Sequence, residues 1–368
     1  MVEVEKLYKK LNKKISFYTG VPDSVLKTFS ICLERQKKNH YIATNEGSAV
    51  ALAIGNYLST KKIGLVYMQN SGLGNAINPL ISIAEKSVYS IPMVLVVGWR
   101  GAPGHKDEPQ HKAKGKITLK ILNNLKIKYL ILNNNSDLKK IDQLINYAKK
   151  NNVPVCILIK PKTLSSNKVE KKILNNHKLT RETFLINLLK KISQKEKLIT
   201  TTGYTSREIF QIRKEHNLKN GKDFYMVGGM GHSSMVALGC SINSEEKINC
   251  IDGDGSLLMH MGGLASIGAY AKKNLRYILL NNNCHESVGG QKTISNYLNF
   301  KKISEGLNFK KYEIIKDYKD LKKLDKFFKL NGPSFLEVRI KNVSIKNLGR
   351  PKNLKEIKER FMSKIINE

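Results

Sequence analysis

Asp254 and Asn282 are the pair of residues with the clearest chemistry in this chain. Asp254 lies in Gly253-Asp254-Gly255-Ser256, and Asn282 lies in Asn281-Asn282-Asn283. The run from Ile248 to Asp252 is mostly apolar and reads as a short buried strand, as does Arg276 to Leu280. Between them, Leu257 to Lys273 is long enough for one helix. Two strands joined by one crossover helix are parallel and present their carboxyl ends together, at the edge where doubly wound sheets bind ligands. A carboxylate and an amide carbonyl at that edge, completed by the oxygens of a diphosphate, make an all-oxygen site suited to Mg²⁺.

Other groups carry related meanings. Thr201, Thr202 and Gly203 follow a strand and could bind diphosphate oxygens. The amides of Gly255 and Ser256 can reach the same group from a helix N-terminus. Gly228-Gly229-Met230-Gly231-His232 also follows a strand, and its small residues allow close approach of backbone to a ligand. Gly72-Leu73-Gly74-Asn75 begins like a dinucleotide fingerprint but lacks the third glycine and a suitable acid further on. With Asn70 and Ser71 it fits the mouth of a site better. Arg100, His105, Lys106, His111, His285 and Lys292 could meet an anion, arginine as a bidentate donor and lysine as a point charge. Asp23, in Gly20-Val21-Pro22-Asp23-Ser24, could cap a helix or relay protons. Glu46, in Thr44-Asn45-Glu46-Gly47-Ser48, reads on its own as an acid in a first helical turn.

These residues need a scaffold, and the hydrophobic pattern supplies one. In the first half, Ile15 to Thr19, His40 to Thr44, Ile63 to Met68, Met93 to Val97, Lys128 to Leu132 and Val155 to Lys160 read as strands. In the second half the strands are Leu198 to Thr201, Asp223 to Val227, Lys247 to Ile251, Arg276 to Leu280 and Ser334 to Arg339. Strands separated by single helices imply parallel sheets. The expected fold is therefore α/β, with two doubly wound parallel-sheet domains at 1–165 and 180–368. A polar, lysine-rich linker is placed at 166–179. The stretch from Pro351 to Ile366 has helical periodicity.

At 368 residues the chain can bury two separate cores. Its 64 Lys and Arg against 30 Asp and Glu leave a formal charge of +34. The lysines are spread throughout, and neither a zinc-finger spacing nor an RNP-type aromatic motif is present, so no nucleic-acid partner is expected. The positive field should instead favour small anionic substrates. Five scattered cysteines without a C-x-x-C pair fit reduced thiols in the cytoplasm. Met1 to Lys14 lacks the apolar core of a signal peptide, and no apolar run approaches a membrane span.

Taken together, the two halves resemble the thiamin diphosphate-dependent decarboxylases. The stretch Thr44 to Ala51 is similar to the pyrimidine-binding domain of that family, and Gly253-Asp254-Gly255 with Asn281-Asn282 is similar to its diphosphate-binding domain. Gly98-Trp99-Arg100-Gly101, Lys106 to His111, His285 to Gln291 and Leu348 to Pro351 point to the branch acting on phosphonopyruvate or sulfopyruvate. The resemblance implies that Glu46 exchanges a proton with the aminopyrimidine ring. It implies Asp254, the Asn282 amide oxygen and the Cys284 main-chain carbonyl as Mg²⁺ ligands, with Asn281 as the alternative to Asn282. It places the Gly228 carbonyl and Gly229 at the cofactor, and Met230 beneath it. Asp23 and His111 would handle protons at the mouth, and Arg100, Lys106 and His285 would hold the substrate anion. The expected reaction is decarboxylation of 3-phosphonopyruvate to phosphonoacetaldehyde and CO₂ within phosphonate biosynthesis, with the sulfonate analogue, or another thiamin diphosphate-dependent 2-oxo acid decarboxylation or carboligation, as the alternative. The family architecture further implies a homodimer or larger homo-oligomer with shared active sites.

Overall fold

The computed structural model describes residues 1–36, 39–166, 175–218 and 221–363. It divides into two compact units, Met1–Lys171 and Lys172–Glu368. Most of the expected linker, 167–174, and the end of the expected tail helix, 364–366, lie outside the described residues.

The first unit is built on six strands: β1 Phe17–Gly20, β2 His40–Ile42, β3 Gly64–Gln69, β4 Met93–Gly98, β5 Lys128–Leu132 and β6 Val155–Ile159. They pair in the order β2-β1-β3-β4-β6-β5, and every pairing is parallel. The second unit has β7 Lys197–Thr200, β8 Lys222–Tyr225, β9 Ile248–Gly253, β10 Leu275–Asn281, β11 Lys311–Ile315 and β12 Ser334–Arg339. Their order is β8-β7-β9-β10-β12-β11, again all parallel. The two sheets thus share one strand permutation, although the halves show no sequence repeat.

The physical basis is the two-residue period of a strand covered on both faces. In β3, Leu65 and Tyr67 enter one core layer while Val66 and Met68 enter the other. In β6, Val155, Ile157 and Ile159 alternate in the same way with Cys156 and Leu158. The second unit repeats the arrangement, with Ile278 and Leu280 on one side of β10 and Tyr277 and Leu279 on the other.

In each unit the chain steps outward from the first strand to the second, then returns past it to the third. That reversal opens a crevice at the carboxyl ends of β1 and β3, and of β7 and β9, where open α/β sheets bind ligands. Gly20 to Ser24 and Asn70 to Gly72 lie at the first crevice. Thr201 to Gly203 and Gly253-Asp254 lie at the second. Beyond β10, Cys284–His285 pairs antiparallel with Gln291–Lys292 as a small flap.

Two sequence expectations need correction. The single helix expected over Leu257 to Lys273 is two short ones, Asp254–Met259 and Gly263–Tyr270. The break falls where Gly262-Gly263 weakens helical continuity, and where a Cβ on Gly263 would already stand 3.1 Å from Ser234 Oγ. The edge strand β11 is absent from the sequence reading, because its half-buried, lysine-flanked Tyr312-Glu313-Ile314 looks like surface. The tail forms a helix over Leu354–Met362, with Ile357 and Phe361 buried and Phe361 against Phe224 at 5.4 Å between ring centroids. Among the described residues, no helix is long and apolar enough to cross a membrane.

Candidate active site

Glu46 is the first residue of the helix Glu46–Thr60 and is only 5% exposed. Capping falls to its neighbour: Asn45 Oδ1 accepts the Ser48 N–H at 2.9 Å. The Glu46 carboxylate is held instead by Asn75, whose amide donates to Oε2 at 2.7 Å. Its other oxygen lies over Gly72, where an added Cβ would be 2.3 Å from Oε1. A Cβ on Gly47 would come within 2.8 Å of the Asn75 carbonyl. The Gly72-Leu73-Gly74-Asn75 motif is therefore a cradle for one carboxylate rather than a phosphate loop.

Asp23 sits at the carboxyl end of β1, 1% exposed. Its Oδ2 accepts the N–H groups of Val25 and Leu26 at 2.9 and 3.0 Å, and its buried Oδ1 has no hydrogen-bond partner among the described residues. Burial pushes this carboxyl up to about 6, against the opposing pull of those N–H groups and of Arg100. Asp23 thus both closes the turn, as an N-cap would, and is poised to take up or release a proton near neutrality.

Arg100 is committed locally. Its guanidinium donates to both oxygens of Asp107, at 2.7 and 2.5 Å, and to Ser24 Oγ at 2.9 Å. Burial alone would raise the Asp107 carboxyl, but Arg100 and the N–H groups of Gly101 and Glu108 hold it well below the usual range. The Asn70 side chain bonds the N–H and carbonyl of Arg100 and the Thr118 hydroxyl, which fixes the turn after β4. Gly101 and Gly115 let the helix Pro109–Asn124 rest on that turn: a Cβ on Gly115 would stand 1.9 Å from the Gly101 carbonyl. His111 opens this helix, half-buried, and Lys106 is exposed on the loop before it.

In the second unit Asp254 is 2% exposed at the carboxyl end of β9. Its Oδ2 accepts the hydroxyls of Thr293 and Ser295 at 2.5 and 2.9 Å. Burial pushes the carboxyl up to about 6, and these hydroxyls and the Asn282 N–H resist. The three asparagines after β10 separate by role. Asn281 donates to Glu337 Oε1 at 3.1 Å, and its oxygen accepts from Asn283 and Ser295. Asn282 donates to Glu286 Oε2 at 3.1 Å and accepts the Cys284 N–H on Oδ1 at 3.2 Å. Asn283, at φ 58, donates to Ser295 and bonds His177. Burial pushes the Cys284 thiol up to about 12, so its sulfur stays protonated. The side chains of Asp254 and Asn282 offer oxygen atoms here, which would suit a hard divalent cation.

Around this loop the glycines form a cradle. A Cβ on Gly255 would stand 2.8 Å from His285 Nδ1 and 3.6 Å from Met230 Cε, so these three residues converge. Burial lowers the His285 imidazole to about 4 and keeps it neutral. Lys292, across the flap from Cys284, is exposed. Ser256 Oγ accepts from Thr201 Oγ1 at 2.9 Å and from the Gly231 N–H at 3.0 Å. Its hydroxyl oxygen thereby ties three carboxyl-terminal turns together. Gly203, at φ 97, opens the helix Tyr204–Glu215, and Thr202 beside it is half-buried. Gly228 and Gly229, the latter at φ 65, lead into the Met230 turn.

Sequence reasoning misses Asn75, Thr293, Ser295, Glu286 and Arg181 as members of these sites. Asn75 and Glu286 lie inside motifs that the sequence does single out, and only their partners are new. Thr293, Ser295 and Arg181 carry no spacing signal, because flaps and crossovers bring them in.

Family comparisons cover both units. Residues 4–124 match the thiamine pyrophosphate enzyme N-terminal TPP binding domain, and 201–338 match the thiamine pyrophosphate enzyme C-terminal TPP binding domain. The chain is 30% identical over 359 residues to a phosphonopyruvate decarboxylase of Streptomyces hygroscopicus, covering 92% of this chain and 87% of that one. It is 30% identical over 361 residues to the phosphonopyruvate decarboxylase of Streptomyces viridochromogenes, with 92% and 88% covered. A sulfopyruvate decarboxylase of Methanosarcina acetivorans is 28% identical over 271 residues, 68% of each chain. The chain belongs to the phosphonopyruvate decarboxylase family of thiamin diphosphate-dependent carboxy-lyases.

Proposed function

We propose that this enzyme uses thiamin diphosphate with Mg²⁺ to decarboxylate 3-phosphonopyruvate to phosphonoacetaldehyde and CO₂, in the cytoplasm and within phosphonate biosynthesis. The observation that carries the choice of substrate is extent of likeness. Phosphonopyruvate decarboxylases align over 92% of the chain, against 68% for a sulfopyruvate decarboxylase. The oxygen-only loop of Asp254, Asn282 and the Cys284 carbonyl supports Mg²⁺, and the glycine cradles at Gly72 and Gly255 support a cofactor pressed close to backbone.

When bound, thiamin diphosphate supplies the electron sink that lets the bond to the departing carboxylate break. The chain's own part is orientation and proton handling. Glu46 holds or accepts a proton at the aminopyrimidine ring, its position set by Asn75. Met230 and the Gly228 carbonyl shape the cofactor's seat. Asp23, raised to about 6, and His111 serve protons at the substrate end. Lys106 and His285 are the candidates for the remote anion, the first as a charge and the second as a neutral donor. Arg100, whose charge Asp107 neutralises, would meet the anion only by releasing that partner. A remote anionic contact of this kind sets specificity through binding energy away from the reacting carbon. The active assembly is a homodimer or larger homo-oligomer, with Glu46 of one chain serving the same site as Asp254 of another.

The test supplies thiamin diphosphate and Mg²⁺ with phosphonopyruvate or sulfopyruvate and follows aldehyde formation. Phosphonoacetaldehyde production that disappears in Glu46→Gln supports the reading. Turnover of sulfopyruvate alone reassigns the anion pocket, and silence on both overturns the substrate class. Sulfopyruvate is the second reading, favoured by the 28% identity just described.

A further inference from the structure

The residue that follows His285 points to a role outside the direct ligands. Only 4% of the Glu286 side chain is exposed, and its Oε2 receives two donors. One is Arg181 Nη2, in an ion pair; the other is the Asn282 amide at 3.1 Å. Arg181 is equally buried and reaches Glu208, fully buried, through Nη1 at 2.8 Å. The chain Glu208–Arg181–Glu286–Asn282 therefore runs from the helix Tyr204–Glu215 to the loop after β10.

A buried ion pair contributes little net stability by itself, because desolvation of both charges offsets their attraction. Its value here is directional. An asparagine amide can turn over and exchange its oxygen for its nitrogen at almost no cost unless both ends are bound. Glu286 accepts only from the nitrogen end, and the Cys284 N–H donates only to the oxygen end. Together they fix which end of Asn282 faces the loop. A cation presented with the nitrogen end would meet N–H donors and be repelled.

We propose that Glu286, anchored by Arg181, is a positioning residue that holds the Asn282 amide oxygen toward the metal. The proposal rests on the reading of Asn282 as a metal ligand. Partners of metal ligands typically change metal affinity by 10–100-fold when removed. Glu286→Gln keeps the shape and removes the charge that Arg181 anchors. Glu286→Asp keeps the charge and withdraws it by one methylene.

The experiment is a calorimetric titration of Mg²⁺ into the full-length protein saturated with thiamin diphosphate, with thermal denaturation run alongside. Both variants are expected to bind Mg²⁺ about 10–100-fold more weakly, and saturating Mg²⁺ is expected to restore kcat. A folded Glu286→Asp protein with wild-type Mg²⁺ affinity overturns the proposal. So does failure of both variants to fold, which would assign the pair to stability alone. Asp254→Ala serves as the control. If it abolishes Mg²⁺ binding while Glu286→Asp leaves affinity unchanged, only the positioning role fails. If Asp254→Ala also leaves affinity unchanged, the metal reading of the loop fails with it.

Discussion

Gly72 and Glu46 are in such close contact that a single methyl group would separate them: a Cβ on Gly72 would stand 2.3 Å from Glu46 Oε1. The φ of Gly72 is −76°, which any residue adopts, so the requirement for glycine is the carboxylate and not the backbone. Gly72→Ala should therefore fold and lose about 10²-fold in kcat/KM through displacement of one carboxylate. Circular dichroism and steady-state turnover, compared in one preparation, check both halves of this expectation.

Glu46→Gln keeps the hydrogen-bonding shape and removes the exchangeable carboxyl proton. Turnover should fall by about 10²–10⁴-fold, while thiamin diphosphate still binds, since the oxygen that accepts from Asn75 is retained. Deuterium exchange at C2 of the bound cofactor, followed by NMR, should slow in parallel. Unchanged exchange would remove Glu46 from proton handling.

Asp23 makes a pH-dependent contribution to stability whose sign follows from its burial. Its carboxyl is raised from 3.8 to about 6, so the folded state prefers the proton. The contribution is fully present below the unfolded value and is lost as pH rises through about 6. The loss amounts to ~3 kcal/mol, since each tenfold change in proton affinity is worth about 1.4 kcal/mol. Asp23→Asn, which can still accept from Val25 and Leu26, should lack that decline. Urea denaturation of both proteins at pH 4 and pH 7 measures the difference directly.

Ser256→Ala would strip one acceptor from two donors, the Thr201 hydroxyl and the Gly231 amide. The expected cost is about 1–3 kcal/mol of stability, with weaker thiamin diphosphate binding because the Gly203 and Met230 turns lose their common tie. Denaturant titration and calorimetry read the two effects separately.

Asn281 and Asn282 should behave differently on truncation. The Asn281 amide is occupied by Glu337, Asn283 and Ser295, so Asn281→Ala should lower the melting temperature more than the Mg²⁺ affinity. Asn282→Ala should do the reverse. Equal effects of the two on Mg²⁺ binding would return Asn281 to the ligand set.

Much of this protein is legible from residue types and spacing. Runs of apolar residues determine two parallel-sheet halves, because a strand covered on both faces must be apolar nearly throughout, as β4 is from Met93 to Val97. Gly253-Asp254-Gly255 and Asn282 fall at one end of the sheet, because the crossover between them joins two parallel, neighbouring strands. Tertiary structure alone decides what local spacing cannot carry. The strand order common to the two sheets depends on long-range pairing, and the lysine-flanked strand Lys311–Ile315 joins its sheet only through Ser334–Arg339. Asn75 beside Glu46, Ser295 beside Asp254 and Arg181 beside Glu286 are contacts between residues far apart in sequence. Each exists because a buried polar group must find a partner wherever the packed elements bring one.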